Sequence, residues 1–259
     1  MGIINVTPDS FYDGGKTTEK DSILKQAEHM LAEGATFLDV GGYSSRPNAK
    51  DISEKEEVNR ILPAIENILR KFPKALISID TFRSQVAKRA VEAGACMVND
   101  ISGGTLDPAM FSTVVDMQVP YILMHMRGTP QTMTLQTDYG DVTKEVIYFF
   151  SEQIAKARQT GINDIIIDPG FGFAKTRKQS FELLQKLDLL GQLDIPILAG
   201  VSRKSMIYKT LNVSAKEALN GTTVLNTLAL QKGASILRVH DVKEAMECIK
   251  LTEMLNPYL

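Results

Sequence analysis

One punctuation mark recurs along this chain and constrains its fold more than any other feature. An amphipathic run ends in glycine, and a short apolar run follows at once: Gly34-Ala35, Gly94-Ala95, Gly161-Ile162 and Gly233-Ala234. Glycine suits the left-handed position just past a helix end, so the repeat is helix, stop, strand. The β-rich runs are Ile3–Val6, Phe37–Val40, Leu76–Asp80, Met97–Asn99, Tyr121–His125, Ile165–Asp168, Ile197–Val201 and Ile236–Val239. Between them Ile23, Ala27, Met30 and Leu31 share one helical face, as do Ile61, Ile65, Ile68 and Leu69, and Val146, Phe150, Ile154 and Ala157. Ser53-x-x-Glu56 and Ser214-x-x-Glu217 have capping-box spacing. Eight strands alternating with helices in 259 residues predict a closed (β/α)₈ barrel, the TIM-barrel architecture. A doubly wound open sheet is the alternative, but it favours a glycine-rich loop after its first strand. Here that strand runs into Asn5-Val6-Thr7-Pro8-Asp9-Ser10-Phe11. No linker or low-complexity tract interrupts residues 1–259, which are read as a single domain. Arg127–Asp141 reads as a long loop after the fifth strand.

Composition narrows the function. A hydrophobic content of 44% supports a packed core, and a net charge of −2 without charged tails argues against nucleic acid as a partner. Cys96 and Cys248 are too few and too far apart for a disulfide framework or a metal pair, which suits a reducing compartment. The opening residues lack a signal-peptide pattern, and no apolar run has the ~18 residues of a membrane span. The expectation is a soluble cytoplasmic protein with no membrane partner.

In barrels of this kind the C-terminal strand ends carry the active site. Those ends read Asn5; Asp39 with Ser44-Ser45-Arg46-Pro47; Asp80-Thr81; Asn99-Asp100; His125; Asp168; Ser202-Arg203-Lys204; and Arg238 with His240. Asp168 follows Ile165-Ile166-Ile167 and precedes Pro169-Gly170, so a carboxylate is fixed where a buried strand turns. Asp80, Asn99 and Asp168 offer acceptors that suit a flat heterocycle with a guanidine-like edge. Lys204 adds a cation. Arg238, His240 and Asn5 suit an anion such as a diphosphate, and Asn5 with Asp9 could help hold Mg²⁺. Met124 and Phe173 could pack on the heterocycle. Blander readings apply elsewhere. Asp39 and Asp100 could be turn or capping residues, and His125 could be a bonded core residue. His29 reads as a surface residue, and Glu54–Arg60 as a solvated helix face. Met30, Met110, Met117 and Met246 read as core and helix-seam fillers, and the three histidines make no triad or zinc set.

The motifs in order are Gly2-Ile3-Ile4-Asn5-Val6-Thr7-Pro8-Asp9-Ser10-Phe11, Asp13-Gly14-Gly15, Asp39-Val40-Gly41-Gly42 with Ser45-Arg46-Pro47, Ser78-Ile79-Asp80-Thr81, and Val98-Asn99-Asp100. Asp168-Pro169-Gly170-Phe171-Gly172-Phe173, Ser202-Arg203-Lys204-Ser205 and Arg238-Val239-His240-Asp241 complete the series. Over nearly the whole chain this resembles dihydropteroate synthase. The resemblance implies the joining of 4-aminobenzoate to a dihydropterin methyl diphosphate, with pyrophosphate released and 7,8-dihydropteroate formed for folate synthesis. It implies a catalytic set of Asp80, Asp168, Lys204 and Arg238. The pterin would be held by Asp80, Asn99, Asp168 and Lys204, with Met124, Phe173 and Gly200 around it. Asn5 would hold Mg²⁺ at the diphosphate with Arg238 and His240. Loops carrying Thr7, Pro8 and Phe11, and Ser45, Arg46 and Pro47, would close over the aminobenzoate, whose carboxylate Ser205 and Lys204 would flank. A homodimer and a sulfonamide target are implied as well. The family commonly has Ser-Thr-Arg-Pro-Gly where this chain has Ser44-Ser45-Arg46-Pro47-Asn48, and an acidic residue where Tyr43 stands. A related barrel, the methyltetrahydrofolate–corrinoid methyltransferase, shares the Asp/Asn pterin pocket but needs no diphosphate grip. Arg238-Val239-His240 and Thr7-Pro8-Asp9-Ser10-Phe11 speak against it, and the retained Lys204, Mg²⁺ ligand and loops speak against a silent pterin binder.

Overall fold

The computed structural model describes residues 1–6, 19–45 and 51–255, with the side chains of residues 19 and 20 excepted. Eight parallel strands pair in chain order: β1 (Gly2–Asn5), β2 (Phe37–Gly41), β3 (Leu76–Asp80), β4 (Met97–Asp100), β5 (Tyr121–Met124), β6 (Ile165–Asp168), β7 (Ile197–Ala199) and β8 (Ala234–Leu237). The circle is completed by a parallel bridge from Gly2 to Val239. There the Ile3 amide donates to the Val239 carbonyl and the Val239 amide to the Met1 carbonyl, both at 2.9 Å. The architecture is the (β/α)₈ barrel.

Helices α1 (Glu19–Ala32), α2 (Glu54–Lys71), α3 (Ser84–Glu92), α4 (Met110–Met117), α5 (Val142–Thr160) and α6 (Arg177–Gln185) follow the first six strands. Both α7 (Ser205–Leu211) and α8 (Leu219–Gln231) separate β7 from β8, and α9 (Val242–Leu255) comes last. The four punctuating glycines all have positive φ, from 92° at Gly233 to 115° at Gly161. The predicted helix faces turn inward. Ile61, Ile65 and Ile68 are fully buried, each worth about 1.5–3 kcal/mol of apolar burial.

Six strands differ in their bounds from the sequence pattern: β1 starts and ends one residue early, β2 and β4 each run one residue further, to Gly41 and Asp100, and β5, β7 and β8 end early. β5 stops at Met124, although the His125 amide still reaches the Asp168 carbonyl at 2.9 Å. β7 stops at Ala199, and the Val201 carbonyl already accepts the Lys204 amide at 3.1 Å in the turn that leads to α7. β8 lies two residues earlier than predicted, because Arg238 and Val239 already bond in different directions: the Arg238 amide to the Ala199 carbonyl, Val239 to Met1.

The caps divide too. Ser53 accepts the Glu56 amide, but the Glu56 carboxylate turns to Arg60, so only half of that box forms. Ser214–Glu217 is a complete box that opens a 3₁₀ turn rather than an α-helix. A further box, Thr176–Gln179, starts α6 and had the same readable spacing. The Arg127–Asp141 loop contains one 3₁₀ turn (Met133–Leu135). Arg127 staples it by donating to the Asp138 carbonyl, pairing with Glu145 and stacking over Tyr139 at 3.7 Å.

Apolar packing splits into layers. One large layer lies between strands and helices. A second plugs the barrel axis: Met97, Ile122 and Leu198, with Met1, Phe37, Ile166 and Ile236 against them. Strand side chains alternate faces, so the next inward position on each strand is two residues on. Those positions are Asp39, Asn99, Met124, Asp168, Gly200 and Arg238. The plug is therefore the floor of whatever lies at the barrel mouth.

Candidate active site

The residues above the plug form one polar assembly. Arg238 spans it. Its Nε donates to Asp39 Oδ2 and its Nη2 to Asp80 Oδ2, each at 2.6 Å. Asn99 Nδ2 donates to the same Asp39 oxygen at 3.0 Å. The other oxygens of that pair, Asn99 Oδ1 and Asp39 Oδ1, are buried without a hydrogen-bond partner. Across the mouth, Asp168 is 4% exposed and its Oδ1 accepts the Gly170 amide at 2.8 Å. A side chain at Gly200 would enter the remaining space, its Cβ 3.8 Å from Asp168 Oδ2 and 3.9 Å from Lys204 Nζ. Lys204 donates to the Phe171 carbonyl at 2.7 Å and lies 4.8 Å from the centre of the Phe173 ring. Met124 and Phe173 belong to one apolar cluster beside these groups.

Burial sets the charges. It pushes the Asp80 carboxyl up to about 7; the Arg238 guanidinium opposes this and the Asp39 carboxylate adds to it. Burial brings Lys204 down to about 8 against the pull of Asp168. It also raises Asp168, with Lys204 working the other way. Burial alone would lower Arg238, but Asp39 and Asp80 outweigh it and keep the guanidinium charged.

The other expected residues scatter more. Asn5 is half-buried at the end of β1. His240 is exposed, its ring bonded to Ser202 Oγ at 3.1 Å. Ser205 is exposed as the first residue of α7, and Ser45 is half-buried. Thr7, Pro8, Phe11, Arg46 and Pro47 lie outside the described residues, as does Asp9. Arg203 does not face the mouth's open space: it is bidentate to Asp241 at 2.8 and 2.9 Å and donates to the Ala215 and Lys216 carbonyls.

Residues 1–240 match the pterin binding enzyme family. The dihydropteroate synthase of Synechocystis sp. is 46% identical over 258 residues, 98% of this chain and 89% of that protein. This chain belongs to the dihydropteroate synthases. These synthases are transferases of folate biosynthesis. Solved synthases superpose closely. The Xanthomonas albilineans synthase determined with 4-aminobenzoic acid has a TM-score of 0.92 at 37% identity, covering 100% of this chain and 93% of that one. The Yersinia pestis synthase determined as a sulfonamide drug complex has a TM-score of 0.92 at 38% identity, covering 99% and 93%.

Two parts of this assembly escaped the sequence reading. The first is Asp39, a candidate turn residue there, which is wholly buried between Arg238 and Asn99. Asp100, by contrast, is a loop former: it accepts the Ser102 and Gly104 amides and the Tyr121 hydroxyl. The second is Lys175, 6% exposed. Its ammonium donates to the carbonyls of Gly170 (3.1 Å) and Phe173 (3.0 Å) and lies 2.8 Å from His125 Nδ1. Burial and the Lys175 charge hold His125 well below its usual range, so the neutral ring can accept. With the His125 carbonyl at 3.4 Å, four acceptors surround the Lys175 nitrogen, whose burial pulls it well below the usual lysine range, and they gather the 168–175 turn onto the end of β5. Gly170 makes that approach possible: its φ is +66°, and a Cβ there would sit 2.2 Å from the His125 carbonyl oxygen. His125 is thus the bonded core residue of the blander reading. His29 is exposed and pairs with Glu33. The Glu54–Arg60 face is not wholly solvated. Glu57 is fully buried, accepting from Thr81 Oγ1 at 2.7 Å and from Arg83 at 2.6 Å.

Lys175→Met should lower stability by about 2–4 kcal/mol, because three carbonyls and an imidazole lose their donor. Thermal unfolding checks it, and a melting point equal to that of the unmodified chain would refute the assignment.

Proposed function

We propose that this chain condenses (7,8-dihydropterin-6-yl)methyl diphosphate with 4-aminobenzoate, its pterin seated among Asp80, Asn99, Asp168 and Lys204. One observation carries the seating: Asn99 Oδ1 is a buried acceptor without a partner, and Asp168 Oδ2 borders the space kept open by Gly200. A guanidine-like edge would give such acceptors the donors they lack. Met124 and Phe173 would cover a face of the ring, and the Lys204 ammonium would remain beside its edge.

The bond that breaks joins the pterin methylene to the diphosphate oxygen, and its electron pair leaves with pyrophosphate. The arylamine nitrogen forms the new bond to that carbon and sheds a proton. Arg238 would balance charge growing on the leaving oxygens, with His240 assisting. Asp80 and Asp168 would favour the cationic character that the pterin acquires as the bond breaks. No base is assigned to the arylamine, which is already a nucleophile. Closing loops that carry Thr7, Pro8 and Phe11, and Ser45, Arg46 and Pro47, would orient it. Ser205 would meet the aminobenzoate carboxylate at the start of α7. Lys204 turns toward Phe171 and Phe173, which favours its pterin role over a second place beside that carboxylate.

Mg²⁺ fits as an ion shared with the substrate. Asn5 offers one neutral oxygen, and among the described residues no three His, Cys, Asp or Glu gather to hold a metal. Magnesium accepts few protein ligands when phosphate oxygens supply the rest. Bound there, it would neutralise charge on the diphosphate.

Pyrophosphate release from the dihydropterin diphosphate, with and without 4-aminobenzoate and Mg²⁺, is the direct test. Release that needs both, with dihydropteroate appearing in step, is the expected result; tight pterin binding with no release would overturn the synthase reading.

The pH profile follows from two groups. Below about 7 Asp80 takes up a proton and loses acceptor capacity, and above about 8 Lys204 loses its charge. Because kcat/KM reports the free enzyme, it should rise through pH 7 and fall beyond pH 8. A flat profile from pH 6 to 9 would refute these roles.

Two looser expectations join the proposal. A homodimer is supported by exposed apolar side chains on adjoining helices, Val224 and Leu228 on α8 and Leu251 and Met254 on α9, and light scattering tests it. A cytoplasmic location is supported by the free thiols Cys96 and Cys248. Among the described residues no helix is long and apolar enough to cross a membrane.

A further inference from the structure

We infer that Asp39 is the positioning residue of this site: a single carboxylate oxygen fixes both the amide that meets the pterin and the guanidinium that meets the diphosphate. The inference rests on the functional reading above and adds a residue to it.

The geometry is specific. Asp39 lies on β2, one inward step above Phe37 of the plug, and is fully buried. Its Oδ2 accepts from Arg238 Nε at 2.6 Å and from Asn99 Nδ2 at 3.0 Å. These donors come from separate parts of the chain, Asn99 on β4 and Arg238 just past β8.

For Asn99 the consequence is orientation. A side-chain amide can face either way, but an ionised carboxylate only accepts. Asp39 therefore takes the NH₂ and leaves Asn99 Oδ1 as the acceptor, buried and without a partner. Without Asp39, the amide can present a donor to a ligand edge that also donates.

For Arg238 the consequence is a pivot. Nε is the donor nearest the aliphatic stem, so bonding it to a buried carboxylate fixes the plane of the whole guanidinium. One terminal nitrogen reaches Asp80. Among the described residues no hydrogen bond engages the remaining one, Nη1, which is thereby aimed without further loss of side-chain freedom.

Asp39 also acts on Asp80 through charge. The charged groups around Asp80 are Lys204 before α7, Arg238 after β8, Asp39 on β2, Glu57 on α2 and Asp100 on β4. The last three raise its carboxyl, and Arg238 lowers it. Asparagine at position 39 removes one negative neighbour and leaves Arg238 with fewer carboxylates to share. A residue that merely filled space would leave that titration alone.

The test compares Asp39→Asn and Asp39→Glu with the unmodified enzyme over pH 5.5–9, measuring kcat and KM for the pterin diphosphate. In Asp39→Asn, kcat/KM should fall about 10- to 100-fold, the value of one hydrogen bond to a charged group, and the acid limb should move to lower pH. In Asp39→Glu the charge is kept but the pivot is displaced: kcat/KM falls while the acid limb stays in place. Kinetic constants and acid limb within twofold of the unmodified enzyme in Asp39→Asn would overturn the inference. If that variant does not fold, wild-type kinetics in Asp39→Glu would overturn it instead. An unmodified enzyme that neither binds the pterin nor releases pyrophosphate would be a separate result, and it would strike the functional reading.

Discussion

Asp168→Asn should cost this enzyme about 3–4 kcal/mol of pterin affinity, a loss of roughly 10²- to 10³-fold. The side chain keeps its shape, so folding should survive. Its oxygen can still accept the Gly170 amide, as Oδ1 does now. That places an NH₂ where Oδ2 was, facing the open space at Gly200 and the Lys204 ammonium. A donor then meets a donor edge of the ligand, and the half-buried Lys204 ammonium loses the carboxylate that supports its proton. Calorimetry with the free pterin and with the diphosphate should show similar losses, since both carry the same edge. Unchanged affinity for the free pterin would remove Asp168 from the pterin site.

Arg238→Ala should separate the two ligands instead. The substitution removes the cation that bridges Asp39 and Asp80. Uncompensated buried charge of this kind costs about 3–5 kcal/mol, part of it relieved here because Asp80 can take up a proton. The diphosphate loses its partner on the leaving side. We expect kcat/KM for the diphosphate to fall about 10³-fold, and free-pterin binding to weaken at least tenfold less than diphosphate binding. Equal losses for both ligands would sink the phosphate role. Arg238→Lys should not rescue, because one ammonium cannot hold Asp39 and Asp80 with the planar fork that spans them.

Much of this was legible from residues alone, for physical reasons that can be named. The glycines past the helices were readable because positive φ is hard for other residues, and all four adopt it. The strand-end polar groups were readable because a buried barrel has little other use for Asp80, Asn99 and Asp168. Asp39 was harder, because an aspartate near glycines also makes turns, as Asp100 does. A signal was nonetheless present: Phe37-x-Asp39, Met97-x-Asn99, Ile166-x-Asp168 and Ile236-x-Arg238 share one step of two, from apolar plug to polar mouth. Lys175 carried no comparable signal. A lysine after a loop reads as solvated, and only the tertiary fold of the 168–175 turn brings four acceptors around it. The end of β8 was misplaced because Arg238 and Val239 keep backbone hydrogen bonds while changing partners, to Ala199 and Met1, which period-two patterning cannot distinguish from a regular strand.

The plug also bears on how such a site could be altered. It lies a single side-chain layer below the charged groups, about 7 Å along the strands, and packed interiors do not absorb volume changes locally. A conservative swap at Ile236 or Ile166 would therefore be felt at Arg238 or Asp168 as a sideways shift. Anyone seeking altered ligand preference would do better to vary the rim. Selection under heat would tend to find the plug, and would return catalysts with altered KM although no substrate touches the mutated positions.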